Sequence, residues 1–134
     1  MYKERDCPVA VVRRGPSAPV VAGAWCREHL GPGQEVTVWV PTKRNLRENK
    51  ELAAFIERYR LEVITGRGFS TPSTPGPLIM AWANPNEVEK ALEYASGVTA
   101  LCVIVGNPDL ARPWAESVGA EVVGTSPWID GGGA

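Results

Sequence analysis

The chain spells one local pattern twice. Residues 78–86 and residues 101–109, 23 positions apart, are apolar runs that close on Asn-Pro and open a helix-patterned segment. Asparagine is a favoured N-cap, and proline at the first helical position loses no hydrogen bond. Glu87, three residues after Asn84, adds a capping-box partner. Each run therefore reads as strand, cap and helix. Two such units in succession call for strands joined by helical crossovers, with their ends on a common edge.

The rest of the chain extends that reading. Residues 8–13 form a strand candidate through Val9, Val11 and Val12, and Gly15-Pro16-Ser17 follows as a turn. A helix fits residues 17–30, with Val21, Trp25 and the stem of Glu28 inward, and Gly31-Pro32-Gly33 stops it. Residues 35–40 alternate as a strand ended by Pro41-Thr42. Leu52, Phe55, Ile56 and Tyr59 then carry i, i+3, i+4, i+7 spacing, the signature of an amphipathic helix. Residues 61–65 are a short strand.

The repeated pair follows. Strand 78–83 leads to helix 85–96, with Val88, Ala91, Leu92 and Ala95 on one face; strand 98–105 leads to helix 108–118, with Leu110, Trp114 and Val118 inward. Residues 120–123 form a last strand. Strands 78–83 and 98–105 are apolar almost throughout, as strands covered on both faces are. The expected fold is α/β: a three-layer, doubly wound, Rossmann-like sheet of five or six mainly parallel strands. Residues 1–125 make one domain, and 126–134, closing on Gly-Gly-Gly-Ala, make a flexible tail.

One connection resists the scheme. Residues 66–77 hold three prolines and three glycines and cannot form a crossover helix. Two arrangements satisfy this: a lid over the sheet edge, or a strand 61–65 antiparallel to strand 78–83.

Ligands of open α/β sheets bind beyond the carboxyl ends of the strands. Four such ends are readable, at residues 13–17, 41–45, 84–86 and 107–109. They bring Arg13, Arg14, Ser17, Thr42, Lys43, Arg44, Asn84, Asn107 and Asp109 towards one rim, and Arg67 joins them from the long loop. Guanidinium and ammonium groups beside helix N-termini suit phosphate or carboxylate. Charge is also divided: residues 1–68 hold twelve Lys/Arg and eight Asp/Glu, and residues 69–134 hold two and seven. An anionic ligand or a charged partner fits that division.

Several chemistries lack their residues. The turn Gly15-Pro16-Ser17-Ala18-Pro19 stands where a phosphate loop would follow the first strand, but it has no lysine and too few glycines. There is no Gly-x-Gly-x-x-Gly. The single histidine, His29, closes the first helix at the edge opposite the expected site, so it is badly placed as a general base there. Glu87 and Asp109 follow Asn-Pro as first-turn acids do. Cys7, Cys26 and Cys102 show no metal-ligand spacing and no disulfide framework, and Cys102 belongs to the core. Of five tryptophans, Trp25, Trp39 and Trp114 read as core, Trp82 stands close to a strand end, and Trp128 is the one expected to be exposed.

Val38-Trp39-Val40-Pro41-Thr42 is similar to the strand-then-Pro-Thr element of superfamily 2 helicases, and Thr74-Pro75-Gly76 before a strand resembles a helicase element that touches nucleic acid. The resemblance implies a RecA-like sheet. The phosphate-loop lysine is missing and no Asp-Glu pair follows Val105, so it implies no ATPase activity.

The functional expectation is a non-catalytic binding or regulatory domain. It takes a nucleotide-like or other anionic ligand, or a protein partner, at the carboxyl edge, with no cofactor and no metal. The first alternative is a small enzyme acting on a nucleotide or nucleic acid through Asp109 or Glu87. The second is an inhibitor- or immunity-type interaction module using the charge division and Trp128. No apolar stretch approaches the ~18 residues of a membrane span, and the charged start of the chain lacks a secretion signal's apolar core. The expected location is cytoplasmic.

Overall fold

The computed structural model describes residues 7–66, 71–94 and 97–128. Six strands form one all-parallel sheet: β1 (Val9–Arg13), β2 (Thr37–Val40), β3 (Glu62–Thr65), β4 (Gly76–Ala81), β5 (Val98–Val105) and β6 (Glu121–Val123). Among the described residues five helices cover it: α1 (Ala18–Glu28), α2 (Lys43–Glu48), α3 (Lys50–Tyr59), α4 (Pro85–Tyr94) and α5 (Pro108–Val118). The strand order is β3-β2-β4-β5-β1-β6. This is a three-layer α/β, Rossmann-like fold.

The pleat divides the strands between two cores. Ala10, Val12, Val38, Val40, Ile79, Ala81, Cys102 and Ile104 face one side, under α1 and α3. Val9, Val11, Trp39, Ile64, Leu78, Met80, Leu101 and Val103 face the other, under α4 and α5. Consecutive strand residues serve opposite cores, which explains the near-continuous apolar runs. β5 and α5 begin and end where the Asn-Pro pattern places them.

α1 turns small residues inward: Ala18, Ala22, Gly23 and Cys26, with Trp25 as the one large side chain. The reason is the route from β1 to β2, which carries the helix across β5 and β4. At Gly23 an added Cβ would collide with the Phe55 ring of α3, lying 2.7 Å from Cε1. Glu28, expected to lay its stem inward, is exposed because it projects from the side opposite Cys26. Leu110, expected inward, faces outward. It is 53% exposed, since the inward stripe of α5 is Ala111, Trp114, Ala115 and Val118, and Leu110 lies to one side of it. Tyr59 ends the α3 stripe 41% exposed.

The antiparallel alternative for residues 61–65 is excluded. β3 pairs in parallel with β2, Thr37 facing Glu62, and β4 pairs with the other side of β2. The chain must therefore return to the amino edge between β3 and β4. Ser73 marks its arrival there: its backbone N–H and its hydroxyl both donate to the Glu62 carboxylate, at 2.7 and 2.6 Å. At Gly76, φ +155, β4 starts against the backbone of Glu35, where an added Cβ would stand 2.9 Å from the Glu35 carbonyl carbon.

Cys26 of α1 and Cys102 of β5 are both fully buried in the first core. A hydrogen bond to Cys26, and then burial, hold the Cys102 thiol well above the ordinary cysteine range. A neutral, buried thiol is a poor nucleophile. The consequence for stability has a definite sign. Above about pH 8.5 an unfolded thiol loses its proton while the native one keeps it. Stability is then whole below that pH and falls above it, by up to about 1.4 kcal/mol per pH unit, until the native thiol ionises. Urea midpoints taken across this alkaline window should slope less steeply in Cys102→Ala than in the parent chain.

Candidate functional site

Because every strand is parallel, the loops after β1, β2, β4 and β5 leave the same edge. The helices they enter do not lie on the same face. β1 and β2 lead to α1 and α2–α3 over the first core; β4 and β5 lead to α4 and α5 over the second. Connections therefore diverge at two places, between β1 and β5 and between β2 and β4. In open α/β sheets ligands lie at such divergences; the cleft at this edge lies on the β6 side of β1. The common Rossmann and flavodoxin orders have one such point.

The β1 tip is the best-built part of this edge. Arg13 and Arg14, adjacent in sequence, diverge to opposite neighbours. Arg13 Nη1 donates to the Ser126 carbonyl beyond β6 at 3.3 Å, and Arg14 Nη1 donates to the Gly106 carbonyl at the end of β5 at 3.1 Å. Between the β1 tip, the first turns of α1 and the segment after β6 lies a cleft of about 330 Å³. Val12, Val21 and Val123 line it with apolar surface, both arginines and Ser17 contribute polar groups, and Gly124 and Thr125 form the far side. Gly15, φ +147, turns the chain into α1, and the Ser17 hydroxyl makes no capping bond. Arg14 is exposed and uses one of the five N–H groups a guanidinium carries.

The other tips are occupied chiefly with their own helices. Asn45 Oδ1 accepts from the Thr42 backbone N–H and hydroxyl, at 3.1 and 2.9 Å. Arg44 pairs with Glu48 one turn on, at 2.9 Å in open solvent. The Asn84–Glu87 capping box is complete: Glu87 N–H donates to Asn84 Oδ1, and Asn84 N–H donates to Glu87 Oε1. Asn107 Oδ1 accepts from Asp109 N–H at 3.1 Å. Glu87 is thus committed to a cap. Lys43 is exposed at the β2 tip, three strand spacings or about 14 Å from Arg14. Arg67 lies outside the described residues.

Trp82 is the unusual residue of the edge. It follows β4 with φ +60, a left-handed conformation that bulky side chains rarely take. Its N–H is held by the Ile104 carbonyl at 2.8 Å, and its ring packs half-buried against the first core. Gly106 allows this turn, since a Cβ there would press within 3.2 Å of the Trp82 Cα. Trp82, Gly106 and Arg14 form a contiguous line across β4, β5 and β1.

The amino edge holds the remaining candidates. His29 caps α1 there, its Nδ1 2.8 Å from the Trp25 carbonyl and its ring 4.1 Å from that of Trp25. Thr74-Pro75-Gly76 leads into the first residue of β4 and lies at this edge too. The two helicase-like elements therefore stand on opposite edges of the sheet. Trp128 is not the exposed tryptophan it was expected to be. It packs half-buried against the second core, and its backbone N–H donates to Ser126 Oγ. Residues 129–134 lie outside the described residues.

Of the expected set, the structure joins Arg13, Arg14 and Ser17 in one cleft, brings Asn107 and Asp109 to the neighbouring tip, and sets Thr42, Lys43, Arg44 and Asn84 further along the rim. Gly124, Thr125 and Val21 were not anticipated. Their part depends on β6 pairing with β1, which no local signal announces. Among the described residues no group of three or more His, Cys, Asp and Glu is placed to hold a metal ion. No family model matches the chain, and no match is found among curated proteins or solved structures.

Proposed function

We propose that the chain is a binding or regulatory domain for an anionic, nucleotide-like ligand seated at the carboxyl edge of the sheet. The observation that carries this reading is the divergence of Arg13 and Arg14 around a cleft of about 330 Å³. That volume falls within the range of small-molecule sites, and its apolar floor with a few polar groups is their usual make-up. The phosphate or carboxylate of the ligand meets Arg14 and Ser17. Its ring extends along the Gly106 ledge toward Trp82, on whose half-buried ring it would stack. The unusual backbone at Trp82 supports the same reading, because such conformations gather at ligand sites.

Calorimetric titration with adenosine monophosphate and with inorganic phosphate tests it. Arg14→Ala should weaken both by about tenfold to a hundredfold, the worth of a hydrogen bond to a charged group. Lys43→Ala, three strands away, should leave both nearly unchanged. Trp82→Leu should weaken the nucleotide and spare phosphate. Equal affinity in the parent and Arg14→Ala would move the site elsewhere. Neither probe raising the melting temperature of the parent would overturn the ligand class.

A further inference from the structure

A second cavity lies at the opposite end of the molecule. It sits on the first-core side at the amino edge, between the C-terminal halves of α1 and α3, as a half-open pocket of about 230 Å³. Gly23, Val36, Phe55 and Leu61 give it apolar walls. Gly23 presents no side chain on the α1 side, so the Phe55 ring lies directly against the helix backbone. Leu30 and Tyr59, two of the five large hydrophobic residues exposed among those described, stand at its rim, 40% and 41% exposed.

Its charges are distinctive. Arg27 and Arg60 line the cavity with Glu35, which leaves the lining with one net positive charge. Arg27 rests over the Tyr59 ring, 5.1 Å from its centroid, and Arg58 lies 5.5 Å from the same centroid. Neither Arg27 nor Arg60 has a carboxylate within ion-pair distance among the described residues. A guanidinium resting on an aromatic ring keeps its N–H edge available for a bidentate carboxylate. Arg60 takes the left-handed conformation, φ 52, that closes α3 and brings the chain to Leu61.

From this arrangement we infer that the α1–α3 cavity is a binding site for a small aromatic monocarboxylate. The ring lies on the wall made by Phe55 and Leu61, and the carboxylate meets Arg27 and Arg60. Size agrees: a dry cavity of about 150 Å³ accepts benzene, so the larger one here holds a ring with a short carboxylate arm. Charge agrees as well. One net positive charge suits a monoanion, and Glu35 disfavours a phosphate carrying two. The site is separate from the carboxyl-edge cleft and shares none of its lining residues.

Phenylacetate and its neutral isostere phenylacetamide are the probes, titrated into the full chain and followed by amide chemical shifts. Phenylacetate should move the amides of Gly23, Val36 and Leu61 and bind about tenfold or more tightly than the amide, as a charge-assisted contact requires. The double variant Arg27→Gln, Arg60→Gln should erase that preference. Both side chains are exposed, so the variant should keep the parent's spectral dispersion. Arg60→Lys retains the charge and should keep most of the preference. Arg14→Ala, at the other edge, should change nothing here, so this site and the proposed nucleotide site stand or fall separately. Equal binding of the two probes, shifts centred on residues 13–17, or no shifts up to the solubility of phenylacetate would each overturn the inference.

Discussion

Gly76→Ala should cost this protein about 3 kcal/mol or more, a large share of the 5–15 kcal/mol that holds a domain of this kind folded. Two effects add. At φ +155 the backbone adopts a conformation that a side chain disfavours. The new methyl group would also point into the Glu35 backbone, with N and C both at 2.9 Å and the carbonyl oxygen closer still. A flexible side chain could swing aside, but this obstacle is main chain. It is pinned by Glu35 N–H donating to the Pro75 carbonyl, while Gly76 N–H donates to the Gly97 carbonyl. Gly15→Ala separates the two effects. Gly15 has a similar φ of +147 with nothing within 4 Å, so only the conformational cost applies. Urea denaturation of the two variants should place Gly76→Ala far below Gly15→Ala. Equal losses would mean that the close approach to Glu35 contributes nothing.

Trp114→Ala should be comparably damaging, at about 3–5 kcal/mol. Trp114 is 1% exposed and is the largest fully buried side chain described. It fills the second core between α5 and the sheet, and its Nε1 donates to Glu89 Oε2 of α4 at 3.2 Å. Truncation leaves a cavity beneath α5 and releases its tie to α4. Trp114→Phe keeps much of the volume and removes the hydrogen bond, so it should cost clearly less. Denaturant midpoints with an unchanged m-value would assign both losses to the native state. α5 is also the connection into β6, whose following segment walls the Arg13–Arg14 cleft. Trp114→Ala should therefore also weaken the nucleotide binding proposed for that cleft, without touching it directly.

The legible parts of this fold were those with local causes. Asn84 with Glu87, and Asn107 with Pro108, announce helix starts because a cap bonds to residues two or three positions away. β5 and α5 were placed to the residue for that reason. The separation of Trp39 from Val38 and Val40 follows from the period of a strand. What escaped depends on distant partners. The inward face of α1 is small because β4 and β5 lie beneath it, whereas spacing from Val21 and Trp25 points to the stem of Glu28. β4 begins at Gly76 and ends at Ala81, where Trp82 turns left-handed; distant contacts with Gly106 and Ile104 sustain that turn, and a tryptophan does not advertise it. For the candidate site, the shared edge was readable from parallel strands. The selection of Arg13, Arg14 and Ser17 over Lys43 and Arg44 was not, because it rests on the place of β1 between β5 and β6.

That placement bears on how the protein comes to exist. Val11 of β1 pairs with Val103 and Val122, which follow it only after β2 to β4 and α1 to α4 have been made. A ribosome extrudes the first strand early and supplies both of its neighbours late. Until then a strand of four buried residues has no edge to join, and pairings over such separations form slowly. Insertion of β1 should be a closing step of folding, and the cleft that its tip builds would be completed only with it.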